Sequence, residues 1–156
     1  MKNLFQYYEG SLSSFLPEAA ITKDRLLKII ICPISERLLT EKSLHHLLLD
    51  TEFNHVLDNF AIRHILMKHS NEKEVLRGQI LVVLEDFLLL QELLTACDSV
   101  NVAVRQGRDV LIYQKSFPDF VGCYVEEIRC GRKELAGVTF YKKKKVSSPT
   151  LIVELR

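Results

Sequence analysis

The stretch Val100-Asn101-Val102-Ala103-Val104-Arg105-Gln106-Gly107-Arg108-Asp109-Val110-Leu111-Ile112-Tyr113-Gln114-Lys115 decides the fold class. Val100, Val102 and Val104 alternate with Asn101, Ala103 and Arg105, a period of two that describes a half-buried strand. Gln106 to Asp109 supplies turn chemistry, and Val110 to Lys115 forms the returning strand of a hairpin.

Working outward toward the C-terminus, Val121 to Arg129 is a third strand, Cys130-Gly131-Arg132 a second turn and Leu135 to Lys142 a fourth strand. Consecutive strands joined by short turns make an antiparallel meander. In the fourth strand Ala136, Val138 and Phe140 are expected on the core side, with Leu135, Thr139 and Tyr141 on the other. Leu151 to Leu155 is a candidate edge strand.

Toward the N-terminus the pattern turns helical, which makes the class α+β. Thr51 to His69 carries Phe53, Val56, Leu57, Phe60, His64 and Met67 in one stripe at 3.6-residue spacing. A leucine-rich helix is expected over Glu85 to Ala96, after the strand-like run Ile80 to Leu84. Ser35 reads as an N-cap before Glu36-Arg37-Leu38. Arg25 to Ile34 suits helix or strand equally, and Glu9 to Pro17 reads as a loop. A chain of 156 residues holds one domain, with residues 1–50 as its arm and helical part and 51–156 as its core.

Hydrophobic residues make up 47% and charged residues 26%, the balance of a folded soluble protein, and a net charge of +1 selects no class of partner. The opening residues lack the pattern of a secretory signal. No apolar run reaches the roughly 18 residues of a membrane span; the longest, Ile80 to Leu94, contains Glu85, Asp86, Gln91 and Glu92. Cys32, Cys97, Cys123 and Cys130 form no C-x-x-C pair, and their apolar neighbours favour reduced core thiols over disulfides or nucleophiles. A cytoplasmic protein without membrane contact or cofactor is expected.

One cluster stands apart: His64-Ile-Leu-Met-Lys-His69, followed by Glu74-Val-Leu-Arg77-Gly78-Gln79-Ile80, with Asp86 opening the next helix. Together with Ile112, Tyr113 and Lys115, with Glu126, and with Thr139, Tyr141 and Lys142, it resembles the phage nuclease families of the barnase–EndoU–colicin–RelE group. The resemblance covers about Asn59 to Lys144. Ser70 stands where those families commonly have a glycine, and leucines stand where the helix after Asp86 has a proline.

The resemblance implies a helical layer packed on one face of a curved antiparallel sheet of four or five strands, with RNA on the other face. It also implies cleavage without a metal, by attack of the ribose 2′-hydroxyl to leave a 2′,3′-cyclic phosphate. Such chemistry needs a general acid, a general base and cations around the phosphate. The catalytic candidates are then His64, His69, Arg77, Thr139 and Tyr141, and the substrate-binding candidates are Gln79, Tyr113, Lys115 and Lys142.

Each has a plainer reading. His64 and His69 lie about 140° apart around a helix; His64 sits mid-stripe, as a core histidine would, and His69 suits a C-terminal cap or an acid–base group. Arg77 suits a bidentate phosphate clamp or a surface ion pair with Glu74. Gln79 fits a structural loop equally. Thr139, Tyr141, Tyr113 and Lys115 suit an open sheet face or the ordinary preference of such residues for strands. The run Lys142 to Lys145 suits phosphate contact or a solvated strand end. The leading expectation is a toxin-like RNA endonuclease of a phage or other mobile element, restrained by a neutralising protein. The alternative is a catalytically silent module binding RNA or a protein. A metal-dependent hydrolase is disfavoured because no H-E-x-x-H or paired-Asp motif occurs.

Overall fold

A computed structural model gives the conformation of residues 7–145. The candidate strand at Leu151 to Leu155 lies outside these described residues. The meander forms as expected: β4 (Ser99–Arg105), β5 (Arg108–Ser116), β6 (Val121–Arg129) and β7 (Glu134–Lys143) pair antiparallel in sequence order. The first hairpin turn is tighter than Gln106 to Asp109. Only Gln106 and Gly107 lie outside the strands, both at positive φ (51° and 76°), which matches the right-handed twist of the flanking strands.

The sheet is larger than the four or five strands expected, and mixed. β1 (Lys28–Pro33) pairs antiparallel with β2 (Asn54–Asp58), and β2 lies parallel to β7, giving the order β1-β2-β7-β6-β5-β4. A two-residue strand, β3 (Gln79–Ile80), adds to the far end of β7. Residues before position 50 therefore contribute a strand to the same sheet.

One helical reading gives way here. Thr51 to His69 is not one helix: its first part is β2, and α3 runs only from Asn59 to His69, capped by Asp58, whose carboxylate accepts the Ala61 N–H at 2.8 Å. His55, Val56 and Leu57 are buried on both faces between β1 and β7, and a fully buried run carries no alternation to separate strand from helix. Within α3 the buried positions are Asn59, Ile62, Ile65 and His69, whereas Phe60, His64 and Met67 are exposed. The core reading of His64 is thereby overturned.

Glu9 to Pro17 is likewise not all loop. Ser11 caps α1 (Leu12–Ile21) by accepting the Ser14 N–H at 3.1 Å, and Phe15, Leu16 and Ala19 enter the core. Arg25 to Ile34 resolves to the strand β1. Ser35 caps α2 (Glu36–Thr40) as expected. Of the run Ile80 to Leu84, only Ile80 joins a strand. A 3-10 segment (Leu84–Leu89) and α5 (Leu90–Thr95) fill the leucine-rich stretch.

Phe15, Phe87, Leu90, Leu93, Leu57, Tyr124 and Phe140 meet in the core between helices and sheet. Burying each such side chain stabilises the fold by about 1.5–3 kcal/mol. Cys32, Cys97 and Cys123 are buried thiols, but Cys130 is exposed, because it falls in the turn after β6.

β7 carries a bulge that reassigns its faces. Val125 pairs with Thr139 and Glu126 with Gly137, so Val138 is an extra residue. Phe140 lies on the core side and Thr139 and Tyr141 on the opposite face, as expected. Leu135, however, joins the core, and Val138 is only half-buried. The face opposite the helices is no open platform: Val110, Cys123 and Val125, which alternate away from the core, are buried as well.

Candidate active site

β2 covers the edge of β7 only along Glu134 to Ala136, and β3 only along Lys142 and Lys143. The edge between them is left to α3, whose last residue, His69, reaches Thr139 and Tyr141. There the chain turns sharply. Asn71 caps α4 (Glu72–Leu76) by accepting the Lys73 N–H at 3.0 Å, and Gly78 at φ 76° reverses the chain into β3. This short helix swings Glu74 back over the end of α3.

The result is a chain of polar contacts. The Glu74 carboxylate is fully buried and divides its oxygens: Oε2 lies 2.9 Å from His69 Nδ1, and Oε1 accepts from the Arg77 guanidinium at 3.0 Å. His69 Nε2 lies 3.4 Å from the Thr139 hydroxyl, and its ring centroid is 5.8 Å from that of Tyr141. Because Nδ1 faces a carboxylate, that nitrogen carries the proton, which leaves Nε2 to accept one in the neutral ring. Arg77 keeps 58% of its side chain exposed, so one edge of the guanidinium holds Glu74 while the rest faces solvent. Burial raises the Tyr141 phenol above its ordinary pKa, with Cys123 beside it acting in the same direction, so Tyr141 is a donor at neutral pH.

His69, Arg77, Thr139 and Tyr141 are thus brought together from three separate segments. Gln79 lies opposite Lys143 in the register and shares the Thr139 face; its buried Oε1 has no hydrogen-bond partner among the described residues. Lys143 occupies that face too, two residues beyond Tyr141, and meets no carboxylate among the described residues.

Four expected site residues lie elsewhere. His64 is on the far side of α3 from His69, as the 140° separation requires, and lines a different pocket. Tyr113 is fully buried on the core face, where its hydroxyl donates to Glu126 at 2.6 Å. Lys115 shares that core face and donates to the Ala96 carbonyl at 3.2 Å. Lys142 pairs with Asp86 at 2.9 Å, also on the core face. Asp86 in turn accepts the Val83 N–H at 2.8 Å, so Lys142 anchors the start of the leucine-rich segment. Period two sends neighbours to opposite faces, so Lys143 and not Lys142 belongs with Thr139.

Glu74 is the residue that sequence reading undervalued. It stands five after His69 and three before Arg77, a spacing that suggests no more than an ion pair with the arginine.

A carboxylate, an imidazole, a hydroxyl and a half-exposed guanidinium stand together, groups that are chemically able to move a proton and to hold an anion. The chain belongs to the phage-Barnase-EndoU-ColicinE5/D-RelE like nuclease 3 family, whose model matches residues 36–148, and so carries a nuclease-family domain. No curated protein and no solved structure matches it. Among the described residues no helix is long and apolar enough to cross a membrane.

Proposed function

We propose that the protein is a metal-independent RNA endonuclease acting through His69. The observation that carries this reading is the Glu74–His69–Thr139 row, with Arg77 beside it. His69 Nε2 takes the proton of a ribose 2′-hydroxyl. The 2′-oxygen then bonds to the adjacent phosphorus as the bond from phosphorus to the 5′-oxygen breaks. The leaving 5′-oxygen receives a proton, for which the Tyr141 phenol is the donor, leaving a 2′,3′-cyclic phosphate and a 5′-hydroxyl. Arg77 offers its exposed N–H groups to the phosphoryl oxygens as charge builds on them.

A toxin-like activity of this kind calls for restraint by a neutralising protein. Leu76 (87% exposed), next to Arg77, offers such a partner an apolar contact. The test is incubation with total RNA in EDTA, followed by mapping of new ends. Cleavage should persist without free metal, leave cyclic phosphates and fail when the cut-site ribose is 2′-deoxy. A requirement for added magnesium would remove the mechanism.

One observation favours a second reading, a silent module that binds RNA or a protein. His69 is only 7% exposed, with Nε2 turned toward Thr139. A folded protein that cleaves no RNA but binds it, or binds a protein partner, would establish that reading instead.

A further inference from the structure

A pocket of about 270 Å³ lies beside the His69 row on the same side of the sheet, lined by His64, Arg105, Gln106, Val110, Glu127 and Val138. Val138 is the bulge residue that immediately precedes Thr139. Glu127 pairs with Val110 and stands two residues along β6 from Val125, the partner of Thr139. The step from site to pocket is therefore roughly 7 Å along the strand, within reach of an adjacent nucleotide.

The lining has three parts. Val110 and Val138 give an apolar floor. Glu127 is held by two guanidiniums on a single oxygen, Oε1, which accepts from Arg108 at 2.7 Å and from Arg129 at 3.2 Å. Its Oε2 accepts nothing among the described residues. Partial burial pushes this carboxyl up, but the hydrogen bonds from Arg129 and Arg108 outweigh it and hold the group below its ordinary value. His64 and Arg105 stand at the rim, and neither has an acidic partner among the described residues.

We propose that this pocket is a nucleobase subsite for the nucleotide next to the cleaved phosphate. It takes a base bearing an exocyclic amino group, which donates to Glu127 Oε2, while Arg105 and His64 face the flanking phosphate. The inference rests on the RNA-cleavage reading above and adds the substrate preference. Cytosine, adenine and guanine carry such an amino group, whereas uracil would present a carbonyl to the carboxylate. A site built to accept an N–H rejects the analogue that lacks it more strongly than an apolar pocket can. The volume suits one base and not two.

The test is titration of the full-length protein, methyl-labelled at valine, with the four nucleoside 3′-monophosphates in turn. CMP, AMP and GMP should shift the Val110 and Val138 methyls, with UMP weaker by about tenfold, the value of one hydrogen bond to a charged group. Glu127→Gln should reduce that difference to within about twofold, because an amide serves either kind of base. Arg105→Ala should weaken all four nucleotides alike. Since Glu127 also anchors two arginines, Val138→Phe, which fills the pocket and leaves the network intact, should abolish the Val110 shift in a folded protein. Equal binding of UMP and CMP, or failure of every nucleotide to move these methyls, overturns the proposal. None of these readouts needs turnover. The expected binding pattern in a protein that never cuts RNA would defeat the cleavage reading alone; cleavage without these shifts would defeat the subsite alone.

Discussion

Glu74 Oε2 lies 2.9 Å from His69 Nδ1, and the carboxylate is wholly buried, so the imidazole is fixed in one tautomer by a residue that substrate cannot touch. Glu74 is therefore a positioning residue. Glu74→Gln can present either its carbonyl or its amide to Nδ1, which loosens that choice. It should lower kcat by about tenfold to a hundredfold, as for other partners that orient a histidine, with KM little changed and the pH profile displaced. An unchanged profile with only a lowered Tm would reduce Glu74 to packing.

His69→Ala should cost on the order of a hundredfold or more in kcat/KM, as expected for loss of a general acid or base. His64 is exposed, so His64→Ala should leave the unfolding free energy within about 0.5 kcal/mol of the parent. Loss of more stability than that, measured by urea titration, would restore His64 to the core.

The two lysines that end β7 should separate cleanly. Lys143→Ala should weaken RNA binding and lower the slope of log K against log salt by about one, as for loss of one phosphate contact. Lys142→Ala breaks the Asp86 pair on the core face and should lower stability while leaving that slope in place. Binding measured across a salt series, beside thermal melts, decides between them.

A Cβ at Gly137 would lie 2.0 Å from the Tyr124 hydroxyl, so Gly137→Ala forces the tyrosine or the strand to move. The expected cost is about 1–3 kcal/mol or more. The same glycine leaves room on the core face of β7, across which Glu126 on β6 reaches His55 Nδ1 on β2 at 2.7 Å. A variant as stable as the parent would show that this packing is loose.

Alkaline titration tests the same layer. Burial raises the phenols of Tyr113 and Tyr124 well above the ordinary value, and Glu126 acts in the same direction on both. The unfolded chain ionises near pH 10. The stability these groups confer is thus intact below about pH 10 and is lost as pH rises beyond it, by ~1.4 kcal/mol per unit for each group. Tyrosinate absorbance at 295 nm from these two residues should appear together with loss of circular dichroism. Full ionisation in a folded protein would contradict their burial.

How far the sequence could be read follows from periodicity. The four strands of the meander showed themselves through alternation and turn residues, and His69, Arg77, Thr139 and Tyr141 could be grouped before any coordinates. β2 could not be told from helix, because both of its faces are covered. Tyr113, Lys115 and Lys142 read as site residues because a motif orders residues along the chain without saying where each points. Glu74 escaped because its role depends on a sharp turn between α3 and α4 that no spacing rule reveals.

The extra residue Val138 has a consequence for insertions and deletions. Leu135 and Gly137 lie on the core side, so unbroken alternation would carry Thr139 inward and turn Phe140 toward the histidine. One added residue reverses that phase, and everything from Thr139 to Lys143 depends on it. Deleting Val138 would therefore replace the bulge by a regular ladder that keeps Thr139 opposite Val125, whereas regularising the ladder with Val138 in place would trade hydroxyls for a phenyl ring beside His69. A relative one residue shorter between Gly137 and Thr139 would keep the same site with no bulge at all, its hydroxyl directly following the glycine.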